Sequence, residues 1–173
     1  GFNVCYNVGK TGMESGEEVL PVVLDWLDRN EGKDNWYLHI HLWDPHTPYR
    51  APKEFGNPFE NEPFDEGWLT EDIVKKHLEH VGPHCLNELN MFDDGTYEQY
   101  PRMPGKAENF SEVRRVIDGY DCGVRFADEL IGKVIAKLRE QGIYDDMAII
   151  LSSDHGENMG ELGIYGEHAT ADE

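Results

Sequence analysis

Two short clusters in the sequence combine acidic and histidine side chains, the residue types that bind metal ions and transfer protons. Asp-Pro-His occupies 44–46 and Asp-His-Gly-Glu occupies 154–157, each directly after an apolar stretch. An aspartate oxygen and an imidazole nitrogen together suit a divalent metal ion. The second cluster is therefore predicted to bind a metal through Asp154 and His155. The alternative is a capping aspartate beside an ordinary loop histidine.

The chain around the second cluster is strongly acidic, and this bears on the choice of metal. Residues 153–173 contain no Lys or Arg but six acids, namely Asp154, Glu157, Glu161, Glu167, Asp172 and Glu173. A buried aspartate among so many acids would be protonated unless a cation were bound beside it. Hard Ca²⁺ and Mg²⁺ both suit carboxylate oxygens, so a divalent cation of this kind is predicted. A solvated acidic loop would account for the same charge without any metal.

A third group of candidate ligands lies in the middle of the chain. His77 and His80 are three residues apart on a predicted helix, and His84 and Cys85 follow. No second cysteine lies close by, and the spacing matches no strong zinc pattern. We expect surface residues of a helix here rather than zinc ligands. The three cysteines of the chain form no Cys-x-x-Cys pair, so free and partly buried thiols are expected.

Hydrophobic periodicity predicts the helices that frame these clusters. Apolar residues recur at helical spacing in three segments, at 17–30, 70–80 and 112–141. Ser15 followed by Glu18 predicts a capping box at the start of the first helix. Pro21 removes a backbone donor, which favours a start closer to that residue.

Two strands are predicted, each ending at one of the clusters. In 36–43, apolar residues alternate with other types, which predicts a strand with Leu38, Ile40 and Leu42 on one face. The continuous apolar run 147–153 predicts a strand buried on both faces. This order of helices and strands predicts an α/β fold with a mainly parallel sheet, at whose strand ends ligands bind.

Length and charge limit the class of protein. The 173 residues predict a single domain, and both ends lack natural stop features, so 1–173 is expected to be a partial domain truncated at both ends. Thirty-five acidic residues against 15 Lys plus Arg give a net charge of −20, which argues against nucleic acid as a partner. No apolar run reaches the about 20 residues of a membrane span.

The prolines and glycines within residues 50–110 predict a loop-rich insertion. We expect this insertion to shape a substrate pocket, because binding residues often lie on loops.

Three segments resemble the sulfatases of the alkaline phosphatase superfamily. Residues 37–52, Tyr-Leu-His-Ile-His-Leu-Trp-Asp-Pro-His-Thr-Pro-Tyr-Arg-Ala-Pro, resemble a strand and its Pro-His-x-Pro loop in that family. Residues 120–132 resemble its long helix, and residues 149–161 resemble its second metal-binding segment. The resemblance runs in order over most of the chain. It implies an alkaline-phosphatase-like fold with a mixed, largely parallel sheet flanked by helices.

The resemblance also implies roles for individual residues. Asp154 would be a ligand of a divalent metal, Ca²⁺ in the first place with Mg²⁺ or Mn²⁺ as alternatives, and His155 would lie beside it at the metal. His46 would contact the sulfate and help to protonate the leaving group. The family nucleophile is a formylglycine made from the first residue of Cys/Ser-x-Pro-x-Arg, a motif that this sequence lacks. The nucleophile is therefore expected before Gly1, and these 173 residues alone are expected to be inactive.

One departure from the family pattern concerns the contact to the anion. Many sulfatases have Gly-Lys-His where this chain has Gly166, Glu167 and His168, and the Lys reaches the sulfate. A glutamate cannot donate a hydrogen bond at neutral pH. His168 is therefore the predicted substitute for substrate contact and catalysis, and a structural loop histidine is the alternative.

The resemblance implies hydrolysis of a sulfate ester, with a sulfated small molecule or carbohydrate as substrate. A phosphonate monoester or phosphodiester hydrolase of the same superfamily is one alternative. A catalytically inactive member that binds or scaffolds is another. The oligomeric state, the compartment and the identity of the sulfated compound stay open at this point.

Overall fold

A computed structural model of the chain describes residues 4–6, 14–64, 67–89 and 102–168. Three α-helices lie in these ranges, namely α1, Gly16–Asn30; α2, Glu71–His77; and α3, Phe110–Glu140. Short 3₁₀ turns occupy Lys53–Phe55, Tyr144–Asp146 and Glu161–Gly163. All three predicted helices are confirmed, with small shifts at their ends.

Helix α1 begins at Gly16 because the preceding sequence supplies a complete cap. The Glu18 carboxylate accepts a hydrogen bond from the Ser15 amide at 3.1 Å, so the predicted capping box is confirmed. The helix then continues through Pro21, so the prediction of a start near that residue is wrong. Proline early in a helix sacrifices one backbone hydrogen bond, and the burial of Leu27 among apolar side chains outweighs that loss.

Helices α2 and α3 are capped by side chains at their first turns. Thr70 Oγ1 accepts from the Ile73 amide at 3.3 Å, and Asn109 Oδ1 accepts from the Glu112 amide at 3.1 Å. Helix α3 has 31 residues, and both α1 and α2 pack against it. It is therefore the element on which the rest of the described structure is assembled.

The apolar core consists of three clusters along α3. The largest joins the first half of α3 to α2 and to neighbouring loops, through Tyr49, Leu69, Val74, Leu86, Leu89, Met103, Ala107, Val113, Val116, Ile117 and Tyr165. A second cluster joins Phe126 and Leu130 of α3 to Ala51. The third joins Leu27 of α1 to Leu138 near the end of α3. The two long helices are thus held together by side chains of the predicted apolar stripes.

The segment 36–43 keeps the alternation that predicts a strand. Leu38 and Ile40 pack beside the cluster between α1 and α3, and Leu42 packs beside the next cluster along α3. The two histidines between these residues lie on the exposed side. The predicted apolar face is therefore confirmed as a packed face.

The segment 147–153 differs from its prediction. Ile150 is 85% exposed and Leu151 is 66% exposed, so the expected burial on both faces is wrong for the described structure. The physical reason is that neither α1 nor α3 covers these side chains, and an apolar run is buried only where another element packs on it. The segment is an exposed apolar patch beside the second predicted cluster.

Sheet pairing is limited in the described ranges. An isolated antiparallel bridge joins Met159 to Tyr165, and neither predicted strand forms a hydrogen-bonded ladder there. The α/β, alkaline-phosphatase-like fold class therefore stays a prediction. Parts of the predicted loop-rich region 50–110, at 65–66 and 90–101, lie outside the described residues, as do the acids at 172 and 173.

Two further expectations concern the cysteines and the membrane. Cys85 and Cys122 are buried, Cys5 is exposed, and all three are free thiols, as predicted. Among the helices described here, none combines the length and the apolar character that crossing a bilayer requires.

Candidate functional site

Three histidines from separate parts of the chain meet at one place. The ring centroids of His155 and His168 are 3.9 Å apart, and the two rings are stacked with 15° between their planes. The His46 centroid lies 5.8 Å from that of His155 and 5.1 Å from that of His168. Asp154 adjoins this group, with Oδ1 3.8 Å from His155 Nε2. The structure thus brings all four predicted site residues together.

A tight loop at 44–50 presents His46. The His46 amide donates to the Trp43 carbonyl at 3.0 Å, and the His46 carbonyl accepts from the Tyr49 amide at 2.9 Å. The Arg50 guanidinium also donates to the Trp43 carbonyl, at 3.1 Å. Tyr49 is fully buried in the largest apolar cluster. His46 therefore stands on a loop that is fixed at both ends.

Asp44 ties this loop to α1, which sets it apart from the predicted metal ligands. Both of its carboxylate oxygens accept from the Gly16 amide at 3.0 Å. Burial raises the pKa of Asp44, and the hydrogen bond from Gly16 opposes part of that rise. A Cβ on Gly123 of α3 would lie 2.7 Å from the Asp44 carbonyl oxygen. The loop therefore sits directly on both long helices.

A short hairpin presents His168. The Asn158 amide donates to the Glu167 carbonyl at 2.8 Å, next to His168. The Tyr165 amide donates to the His84 carbonyl at 2.9 Å. The hairpin is therefore held closed by its own backbone and anchored to the loop that follows α2.

Glu167 and His84 contact one another behind this hairpin. Glu167 Oε2 lies 2.8 Å from His84 Nε2, and both side chains are mostly buried. The expectation that His84 is a surface helix residue is wrong, because it lies in the loop beyond α2 and anchors the hairpin. Within the described ranges, the possible metal-binding group of His46, His155 and His168 does not include His77, His80, His84 or Cys85. The absence of a zinc site at these four residues stays a prediction.

The tautomers of two site histidines follow from their hydrogen bonds. His46 Nδ1 is 2.9 Å from the Thr47 carbonyl oxygen, and His155 Nδ1 is 2.9 Å from the Gly156 carbonyl oxygen. A carbonyl oxygen only accepts, so Nδ1 carries the hydrogen in both rings. Nε2 of each ring therefore retains a lone pair for a metal ion or a proton.

The pKa of His46 is lowered from its ordinary value. Burial is the main cause, and the positive Arg50 and the other two histidines of the group act in the same direction. The hydrogen bond to the Thr47 carbonyl opposes them in part. His46 is therefore neutral at pH 7 and suits proton acceptance or metal binding.

Glu157 is a component of the site that the sequence interpretation missed. Its side chain is only 2% exposed, and Oε1 lies 3.9 Å from His168 Nδ1. Burial raises the pKa of Glu157 to about 7, although the Thr47 backbone offsets part of that cost. Among the described residues, neither carboxylate oxygen has a hydrogen-bond partner of standard geometry. The position of Glu157, two residues after His155, could have indicated that it belongs to the site. The other acids of residues 153–173 made it indistinguishable from a solvated surface residue.

The candidate metal ligands at the site differ from the oxygen ligands that Ca²⁺ prefers. Ca²⁺ takes 6–8 oxygen ligands. Asp154 provides a carboxylate whose side chain is 76% exposed and whose pKa is lowered by local backbone hydrogen bonds. The other groups at the site are three imidazoles, which suit Zn²⁺ better than Ca²⁺, and the buried Glu157 carboxylate. The described residues therefore fit a divalent ion, but by themselves they do not form a calcium shell.

Comparison with known proteins gives a consistent family assignment. The family model described as Sulfatase matches residues 3–173. The chain is 29% identical over 136 residues to a choline-sulfatase of Rhizobium meliloti (strain 1021), an alignment that covers 79% of this chain and 24% of that protein. It is 27% identical over 145 residues to the multifunctional alkaline phosphatase superfamily protein PehA of Trinickia caryophylli, with 83% of this chain and 27% of that protein covered.

The comparisons also include proteins with a different printed activity. The phosphatidylethanolamine transferase Mcr-2 of Escherichia coli is 29% identical over 119 residues, covering 63% of this chain and 22% of that protein. The aligned part is thus about a quarter of the length of these curated relatives. No solved structure matches the chain.

Proposed function

The chain belongs to the sulfatase family, and on this premise we propose that it forms part of an enzyme that hydrolyses a sulfate ester with a divalent metal ion. The convergence of His46, His155 and His168 from three parts of the chain is the observation that carries this proposal. An imidazole that carries a hydrogen on its outward-facing nitrogen can donate to the oxygens of a tetrahedral anion, despite the net charge of −20. Of the acids around the site, Glu167 lies against His84 and Asp44 accepts from the Gly16 amide.

We propose separate roles for the four predicted residues. Asp154 and His155 would hold the metal, which when bound would polarise the ester oxygens. His46 and His168 would contact the anion. His46 is neutral at pH 7, so it suits proton acceptance, and the donation of a proton to the departing alcohol falls to His168.

The nucleophile in this proposal lies outside the 173 residues. Cys85 and Cys122 are buried, and burial raises the pKa of both thiols. A protonated, buried thiol is a poor nucleophile. Neither cysteine lies in the Cys-x-Pro-x-Arg context that the family resemblance requires. We therefore propose that the 173 residues alone do not turn over an ester.

A phosphodiester or phosphonate monoester hydrolase is the second candidate. Glu167 stands where the resembled sulfatases have Lys, and it is paired with His84 rather than facing an anion. The names of PehA and Mcr-2 point to phosphorus chemistry in relatives of similar identity. An inactive binding member is a third possibility that the same experiment addresses.

The test compares a sulfate ester and a phosphodiester of one alcohol as substrates of the full-length enzyme. We expect the sulfate ester to have the higher kcat/KM. His46→Ala should lower kcat/KM by about 10²- to 10⁴-fold, the usual contribution of acid–base catalysis. His39→Ala, an exposed histidine outside the site, is the matched control and should leave kcat/KM unchanged. A preference for the phosphodiester, or equal rates for both variants, would contradict the proposal.

A further inference from the structure

Glu157 is a buried carboxyl at the site to which the proposed function gives no role. Its side chain is 2% exposed, and its Oε1 lies 3.9 Å from Nδ1 of His168. We propose that Glu157 is a positioning residue, which accepts the Nδ1 hydrogen of His168 and leaves Nε2 of that ring for the ester. Its part in the reaction rests on the proposed function, whereas its contact with His168 does not.

The hairpin that carries His168 also holds Glu157 next to it. The Asn158 amide donates to the Glu167 carbonyl at 2.8 Å, and the Gly166 amide donates to the Asn158 carbonyl at 2.8 Å. The Asn158 side chain adds a second donor to the Glu167 carbonyl, at 2.9 Å. Glu157 and His168 each adjoin one end of this bonded pair of segments, so the hairpin backbone itself keeps the two side chains together.

The burial of Glu157 favours a hydrogen bond to this ring. Among the described residues, neither carboxylate oxygen has a hydrogen-bond partner of standard geometry, and a buried carboxyl without one is costly. The His168 side chain is 32% exposed, so its ring has room to turn toward Oε1. Hydrogen bonds between catalytic groups are often long in a free enzyme and shorten when substrate binds. The 3.9 Å separation therefore fits a positioning pair in the state without ester.

The other two histidines of the site use the same ring nitrogen. His46 and His155 each have Nδ1 2.9 Å from a backbone carbonyl oxygen, to which it donates. On the Nδ1 side of His168 the acceptor is Glu157 instead. A carboxyl keeps an accepting oxygen whether it is ionised or protonated, so this contact does not depend on the charge of Glu157. Nε2 is then left free in all three rings.

The proposed reaction requires His168 to keep its Nδ1 hydrogen. As the bond from sulfur to the ester oxygen breaks, its electron pair goes to that oxygen, and the Nε2 proton of the His168 imidazolium passes to it. The ring is left neutral with its hydrogen on Nδ1, which is the tautomer that Glu157 stabilises. A neutral ring with its hydrogen on Nε2 would become an imidazolate on donation, which is a far less stable product. Glu157 therefore selects the form of His168 that can donate.

The Thr47 backbone determines how a glutamine would behave at this position. It lowers the pKa of Glu157 against the effect of burial, which is the action of a donor, so the Thr47 amide faces the carboxyl. In Glu157→Gln this amide selects the side-chain oxygen, because a backbone N–H only donates. The glutamine NH₂ is then left for His168, and it can donate to Nδ1 only when that nitrogen carries no hydrogen. The isosteric variant should therefore impose the wrong tautomer.

The test uses the full-length enzyme with the sulfate ester and the phosphodiester of one alcohol. Glu157→Gln should lower kcat by about 10²- to 10⁴-fold, as expected when a catalytic histidine is held in the wrong tautomer, with little change in KM. Nitrogen NMR of ¹⁵N-labelled histidine, at a pH where the ring is neutral, should place the His168 hydrogen on Nδ1 in the wild type and on Nε2 in the variant. The signals of this ring are those that disappear in His168→Gln.

A matched control separates positioning from a merely structural role. Glu161→Gln makes the same chemical change at an exposed glutamate of the same hairpin, and it should leave kcat and the His168 tautomer unchanged. Urea unfolding at pH 8 should show Glu157→Gln to be at least as stable as the wild type, so a structural role alone predicts no loss of kcat.

Three results would overturn the role of Glu157. They are an unchanged His168 tautomer in Glu157→Gln, a changed tautomer without loss of kcat, and an equal loss of kcat in Glu161→Gln. If the wild-type enzyme hydrolyses neither ester, the proposed function fails separately, and the tautomer in Glu157→Gln alone then decides whether Glu157 positions the ring.

Discussion

Two apolar segments lead to the candidate site, and their surroundings are opposite. The segment 36–43 is packed against α1 and α3 and ends in a loop whose residues Asp44 and Tyr49 are fully buried. The segment 147–153 leaves Ile150 and Leu151 in solvent and ends at an exposed Asp154. Both segments are comparably apolar, so their composition does not explain the difference.

The comparison shows that burial depends on a partner element rather than on the apolar run alone. Leu38 and Ile40 are covered because α1 and α3 pack together on one side of their segment. The side chains at 150 and 151 have no such cover in the described ranges. His46 therefore follows a segment that is packed against two helices, whereas Asp154 follows a segment whose side chains at 150 and 151 lie in solvent.

The largest expected effect on stability comes from a cavity in the apolar cluster that covers the segment 36–43. Leu27 of α1 is 1% exposed and holds the cluster that covers the segment 36–43. Leu27→Ala should lower the free energy of unfolding by about 2–5 kcal/mol, because it removes buried methyl groups and leaves a cavity. Urea unfolding of the chain measures this. Leu151→Ala is the matched control, and a loss of similar size there would remove the distinction between the two segments.

The next largest effect is the pH dependence of stability that is caused by the buried carboxyl of Glu157. The pKa of Glu157 is about 7 in the folded chain against an ordinary 4.5, so the folded state binds more protons between these values. The contribution of Glu157 to stability should therefore be full below pH 4.5 and fall by up to about 3 kcal/mol as the pH rises past 7. Glu157→Gln should abolish this slope and exceed the wild type in stability at pH 8. Thermal unfolding at pH 5 and pH 8 tests it, and a less stable variant at pH 8 would contradict it.

A smaller effect tests how closely the His46 loop sits on α3. A Cβ at Gly123 would meet the backbone of Asp44 and Pro45 at 2.7 Å and 2.8 Å, whereas a Cβ at Gly132 would meet nothing within 4 Å. Gly123→Ala should cost about 1–3 kcal/mol, because backbone cannot move aside as a flexible side chain does.

Gly132→Ala in the same helix provides the control. It should stabilise the chain by up to about 1 kcal/mol through helix propensity. Chemical denaturation of both variants gives the sign of each change directly. Stabilisation by both substitutions would show that the loop is not seated on α3 as described.

The smallest effect on stability is expected in the exposed segment 147–153. Ile150→Lys should change the free energy of unfolding by no more than about 0.5 kcal/mol, because the side chain already lies in water. It should also raise solubility, since it interrupts an exposed apolar patch. Light scattering at increasing protein concentration measures the second effect. Marked destabilisation would show that this side chain is covered in solution.

The sequence predicts the helices well and the site in part. Capping residues and apolar periodicity set α1, α2 and α3 locally, so these could be read residue by residue. His46, His155 and His168 were found through spacing and family resemblance. Glu157 was not, because its burial is created by the folded hairpin and by the Thr47 backbone. The exposure of residues 150 and 151 likewise depends on packing between distant segments, which periodicity does not encode.

The link between α2 and the hairpin has a consequence for how new specificity can arise in this chain. His77 Nδ1 lies 2.8 Å from the Tyr165 hydroxyl, and the His84 carbonyl accepts from the Tyr165 amide at 2.9 Å. Helix α2 and the loop that follows it are thus bonded to the hairpin that carries His168. A substitution at His77 that breaks its bond to Tyr165 is therefore expected to disturb the hairpin that carries His168, a proposed catalytic residue. Diversification should be easier at 53–64, which has no comparable bond to the hairpin among the residues described.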